Sequence, residues 1–149
     1  MKKYVMADIA KIKRKKLSGQ VPLEVFRLLR LVGIRGALPM GGRSITAVVG
    51  REMGKSLGCS TLEDFFKLLL DLKIGIPELA EKSEKKMVVR LHDCMVCDGM
   101  EDVGEMVCDL EGAIIEGALA AILNRPVSVK ETKCNCNGDG VCEFTATIR

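Results

Sequence analysis

Six of the seven cysteines lie between residues 94 and 142 of a 149-residue chain. Grouped thiols constrain the fold more than any other feature, because the elements that carry them have to bring them together. The most apolar run, 110–123, contains Glu111 and Glu116 and is too short to span a bilayer. The basic N-terminus has no apolar stretch behind it and no small-residue cleavage site. These features predict a cytoplasmic protein. In that compartment thiols stay reduced, and clustered cysteines point to metal or redox chemistry before disulfides. A domain of this length buries roughly two-thirds of its unfolded surface, so disulfides are not needed to hold it.

Composition removes several functions. There is one His, which excludes a His-rich metal site or proton relay within one chain, and no Ser-His-Asp or Cys-His arrangement is expected. With no Trp, one Tyr and four Phe, a stacking surface for single-stranded nucleic acid is hard to build. The net charge of +3 is unevenly spread. Residues 1–20 carry Lys2, Lys3, Lys11, Lys13, Arg14, Lys15 and Lys16 against Asp8, while residues 93–149 are acidic. We read 1–20 as a basic arm that contacts a partner and 21–149 as a single domain. The arm makes nucleic acid a possible partner, though not the favoured one.

Periodicity predicts an α+β fold. A helix begins near Pro22 with Val25, Phe26, Leu28, Leu29 and Val32. A turn at Met40-Gly41-Gly42 follows. A second helix runs over 44–57 and ends at Gly58; a third starts at a capping box, Ser60 to Glu63, and runs to Leu72. Segments 76–83 and 86–91 read as a hairpin, 103–123 as the longest helix, and 127–133 with 143–148 as a second hairpin. Helices, hairpin, helix, hairpin argues for N-terminal helices and an antiparallel sheet with a long helix between its two hairpins.

Spacing alone leaves three readings of the cysteines. Cys108 on the long helix, with Glu131, Cys134 and Cys142 on the hairpin, would give three sulfurs and one oxygen, a closed tetrahedral set suited to structural zinc. Lys133 would help to offset its negative charge. Cys94-x-x-Cys97 and Cys136 could instead build a different zinc site, a redox dithiol or an iron–sulfur cluster. The third reading is small buried hydrophobes with no metal; Cys59 is read this way. His92 is expected to be exposed or hydrogen-bonded, and most methionines to fill the core. No catalytic residue, nucleotide motif or flavin fingerprint is identified, and no cofactor-binding residues can be named.

The strings Cys108-Asp-Leu-Glu-Gly112, Ile114-Ile-Glu-Gly-Ala118, Lys130-Glu-Thr-Lys-Cys134 and Gly138-Asp-Gly-Val-Cys-Glu-Phe144 resemble the 4-vinyl reductase domain family. The resemblance covers 92–149. It implies a fold shared with the small subunits of the TRAPP complex, frequent homodimerisation, and, in some members, binding of small aromatic or hydrocarbon ligands. It also implies zinc on Cys108, Glu131, Cys134 and Cys142, with Cys94 and Cys97 outside that pattern. The resulting expectation is a zinc-containing sensor for a small apolar ligand, regulatory and not enzymatic, with its pocket lined by 44–57 and 61–73. The alternatives are a reductase or reductase accessory working through Cys94 and Cys97, and an adaptor in a larger complex.

Overall fold

The computed structural model describes residues 4–10, 14–17 and 19–149. Part of the expected arm, 1–3, 11–13 and 18, lies outside the described residues. The described part holds one short turn of helix, α1 (Met6–Ile9), and none of its residues is buried. α2 (Leu23–Arg27) starts directly after Pro22 and widens into π-helical turns over Leu28–Arg35. A tight 3₁₀ turn, Pro39–Gly42, then leads into α3 (Arg43–Ser56). α4 (Leu62–Asp71) is capped by Thr61, whose hydroxyl accepts from the Asp64 amide at 3.0 Å. The cap therefore lies one residue beyond the Ser60 expected, because Asp64, not Glu63, occupies the third helical position.

β1 (Ile76–Lys82) and β2 (Lys86–His92) form the first hairpin, around Ser83. α5 (Asp109–Leu123) follows, then β3 (Val127–Lys133) and β4 (Cys142–Ile148). The four strands make one antiparallel sheet in the order β1-β2-β4-β3. The expected α+β class and element order are those of the structure. The expected start of the long helix is not. Residues 101–108 are irregular, and the helix begins at Asp109 with Cys108 as its N-cap residue. Two things stop it from extending backwards. Gly104 sits at φ +68, and the amides of Val103 and Glu105 are spent on the Cys136 carbonyl at 2.9 and 3.2 Å.

α5 is buried on nearly all sides, between the sheet and α3. On the sheet side Gly112 approaches Phe144; a Cβ there would stand 3.2 Å from the ring. On the other side the backbones of α3 and α5 touch. A Cβ on Gly54 would lie 2.1 Å from the Ile114 carbonyl oxygen, and one on Gly117 would lie 2.1 Å from that of Arg51. Phe65 and Leu69 of α4 complete the core. Among the described residues no helix is long and apolar enough to cross a membrane.

This crossing gives a direct test. Gly54→Ala and Gly117→Ala each put a methyl group inside backbone van der Waals distance, so each should destabilise the fold by about 3 kcal/mol, read as a lower urea midpoint. Gly19→Ala meets no atom within 4 Å and should leave the midpoint unchanged.

Candidate metal centre

Four segments converge on a buried group of thiols beneath the N-terminus of α5. The loop after β2 supplies Cys94 and Cys97. It folds into a helix-like turn, with the Asp98 amide bonded to the Cys94 carbonyl at 2.9 Å and that of Met100 to Cys97 at 3.1 Å. A separation of three residues in such a turn aims both side chains the same way. Arg27 of α2 pins this loop from outside, donating to the Met95 and Asp98 carbonyls at 2.9 and 2.8 Å. Cys108 comes from the start of α5, Cys134 from the end of β3 and Cys142 from the start of β4.

The distances show what these segments assemble. Cys108 Sγ lies 3.7 Å from Cys94, 3.4 Å from Cys97, 3.8 Å from Cys134 and 3.7 Å from Cys142. Cys97 and Cys142 are 3.1 Å apart. All five are fully buried. Four thiolates about 2.3 Å from a shared zinc stand about 3.8 Å apart, so the spacing suits a common cation. Two compact donor groups are present: Cys94, Cys97, Cys108 and Cys142, and Cys108, Glu131 and Cys134. The cluster can hold a metal ion. The two sets kept apart in the sequence reading are one cluster, with Cys94 and Cys97 beside Cys108 and Cys142. Cys136 belongs to neither group. It is buried alongside, with its Sγ 3.9 Å from the Cys97 carbonyl oxygen. Cys59 lies apart, half-buried next to α4.

Glu131 joins through a β-bulge. Its spacing of three from Cys134 would put the two on opposite faces of a regular strand. The register slips between Glu131 and Lys133, leaving Thr132 as the additional residue, and both side chains then face the cluster. Glu131 Oε1 accepts from the Cys108 amide at 3.2 Å. Burial, and next the Cys134 charge, push its carboxyl up to about 9. The hydrogen bond with Cys108 holds Cys97 down at about 4 and Cys134 down at about 6, while Cys108 is held well up. Burial raises Cys136 to about 12. Lys133 does not offset this charge as expected; its Nζ lies 3.6 Å from Glu143, which Arg90 also holds at 2.9 Å.

Behind the cluster, Asp109 receives hydrogen bonds from Arg30 and Thr46. The Arg30 side chain, fully buried, also donates to the Val107 carbonyl at 3.2 Å. Glu111 is buried with neither carboxyl oxygen hydrogen-bonded within the protein. Burial pushes it up to about 8. His92, exposed and 2.7 Å from Glu78, is remote from this chemistry, as expected.

Two hollows flank the cluster. One, of about 860 Å³, lies between Val21–Phe26, the end of α4 and the cysteine loop, and Cys94 and Met95 form part of its wall. The other, of about 370 Å³, is charged, bordered by Arg43, Arg51, Asp109, Glu116 and Glu131. The expectation that 44–57 and 61–73 line an apolar pocket is therefore corrected. α3 packs backbone to backbone on α5, which leaves no room for an apolar cavity where they cross, and the larger hollow draws mainly on α2 and the loops.

The buried Glu111 carboxyl makes stability pH-dependent. Its ordinary value is 4.5 and its folded value about 8, so between these the folded chain holds a proton that the unfolded chain lacks. Stability from this group therefore falls as pH rises through that window. Glu111→Gln should gain on the wild type across it by up to about 1.4 kcal/mol per pH unit in denaturant titrations.

The family model for the 4-vinyl reductase domain matches residues 87–148. An uncharacterised protein of Methanocaldococcus jannaschii is 33% identical over 138 residues, covering 89% of this chain and 79% of its own length. A second from the same organism is 26% identical over 132 residues, covering 89% and 81%. Among solved structures, a vinyl-4-reductase family protein of M. jannaschii superposes with a TM-score of 0.68 at 21% identity, over 90% of this chain and 85% of its own. A trafficking protein particle complex subunit 3 from Naegleria fowleri, covalently bound to palmitic acid, gives 0.53 at 16% over 72% and 80%. The phenol-responsive sensory domain of the transcription activator PoxR, solved with phenol, gives 0.63 at 13% over 95% and 87%. At these identities the structural likenesses show the fold, and the family model with the M. jannaschii relatives shows the lineage: the chain belongs to the 4-vinyl reductase domain family.

Proposed function

We propose that this chain is a zinc-containing domain that binds a small apolar or aromatic molecule in the cytoplasm and reports it to a partner. The observation that carries this reading is the wall shared by hollow and cluster. Val21, Pro22, Leu23, Phe26, Leu72 and Met95 give the 860 Å³ cleft an apolar lining, and Cys94 belongs to both cleft and cluster. The volume suits a small organic ligand, and Arg27, Asp71 and Lys73 at its edge can orient a polar group. The phenol bound by the PoxR sensory domain supports the same class of ligand. In this reading zinc is structural, fixing the cysteine loop that forms one wall of the cleft.

Titration with phenol and 1-naphthol, followed by calorimetry, tests the ligand. Saturable binding at one site per chain is expected, lost in Leu72→Glu without change in the circular dichroism spectrum. Non-saturable binding, or binding unaffected by Leu72→Glu, removes the reading. A brown protein with iron absorption would replace it with the reductase reading, in which Cys94 and Cys97 carry electrons.

We infer a homodimer from the outer face of the helical layer. Leu28, Leu29 and Val32 are 60–66% exposed, and Ile45, Val48, Val49 and Met53 form an apolar stripe on the side of α3 opposite Gly50 and Gly54. Such a patch is costly to leave in water. Val48→Glu together with Val49→Glu should convert a dimer to a monomer in light scattering, while a wild-type monomer at working concentrations would reject the inference.

A further inference from the structure

We propose that the cluster holds two divalent metal ions bridged by the Cys108 thiolate. This rests on the metal-binding reading above and extends it from one ion to two.

The donor count is the first argument. One tetrahedral ion uses four donors, and the fold gathers six around Cys108: Cys94, Cys97, Cys108 itself, Cys134, Cys142 and Glu131. A single-ion site on Cys108, Glu131, Cys134 and Cys142 leaves Cys94 and Cys97 unused, 3.7 and 3.4 Å from Cys108. A site on the four thiols leaves Glu131 and Cys134 unused, with Cys134 3.8 Å from Cys108. Neither choice accounts for the arrangement.

The topology is the second. The donors form two compact groups, and Cys108 is the member common to both. Its sulfur is central, within 3.8 Å of four others. Thiolate sulfur has lone pairs enough to serve two cations. One ion would then sit among Cys94, Cys97, Cys108 and Cys142, closed by four sulfurs. The second would sit among Cys108, Glu131 and Cys134, with one position left for water. The 370 Å³ cavity bordered by Glu131 gives water a route to that position.

Charge is the third. Six deprotonated donors around one divalent ion leave a buried formal charge of about −4, and a second ion brings it to about −2. Cys94 and Cys97 also give the inference a place in the fold. Their loop is held by Arg27 and walls the cleft, so the four-sulfur ion ties the cleft to the sheet, and the three-donor ion ties α5 to β3.

The test uses the full chain reconstituted with zinc under reducing conditions. Native mass spectrometry and elemental analysis should return two zinc ions per chain. One per chain overturns this inference and leaves the single-ion reading intact; none overturns both. The double variant Cys94→Ser, Cys97→Ser should keep one ion; keeping two, or none in a folded chain, rejects the assignment. Because that variant can fail to fold, the wild type loaded with NMR-active cadmium provides a separate arm. Two cadmium resonances, both scalar-coupled to the Cys108 β-protons, are expected. A single resonance, or two that share no cysteine, overturns the bridge.

Discussion

The contact between α3 and α5 sets the position of everything else. Gly54 and Gly117 let two backbones meet where side chains would normally hold helices roughly 8–10 Å apart. α5 is thereby fixed on one side by α3 and on the other by Phe144, which lies against Gly112. A helix clamped at both faces has little freedom to rise or tilt. Its first residue is Asp109, so the clamp also fixes Cys108, at its N-cap, over the hairpin that carries Glu131, Cys134 and Cys142. The cluster is the outcome of helix packing at one end and strand register at the other.

Polar groups finish the placement. Asp109 accepts from Arg30 and Thr46, which belong to the π-helical turn and α3. A carboxylate at a helix N-terminus is favoured by the exposed amides there, and a buried arginine requires such a partner. One residue thus joins three helices beside the metal centre. Its neighbour Glu111, buried with no hydrogen bond to the carboxyl from the protein, sits in the same region at evident cost.

Much of this was legible in the sequence, and the failures have physical causes. The helix and hairpin order followed from periodicity, and the 4-vinyl reductase resemblance from the C-terminal strings. The false start of α5 arose because 103–108 carries helical spacing, while two of its amides are claimed by the Cys136 carbonyl, on the far side of the helix and the next strand and so invisible to local reasoning. The bulge at Thr132 cannot be read from a strand's alternation, yet it decides that Glu131 and Cys134 share a face. Joining Cys94 and Cys97 to the later cysteines needed the tertiary path of the loop. The glycine crossing did leave a signal: Gly50 and Gly54, four apart on one helix face, with Gly117 on the partner.

The sheet ends in two open edges, and each is marked. β1 carries Pro77, with Glu78 and Glu81, and its pairing slips between Leu79 and Glu81. β3 carries Lys130 and Lys133 and its own slip. Proline, charge and irregular register each discourage a foreign strand from adding to an edge. The bulge that turns Glu131 toward the thiols therefore has a second effect: it spoils a flat edge on which another chain could grow a continuous sheet. Protection against aggregation and the aiming of Glu131 are served by the same inserted residue, so removing Thr132 would expose the protein to both losses together.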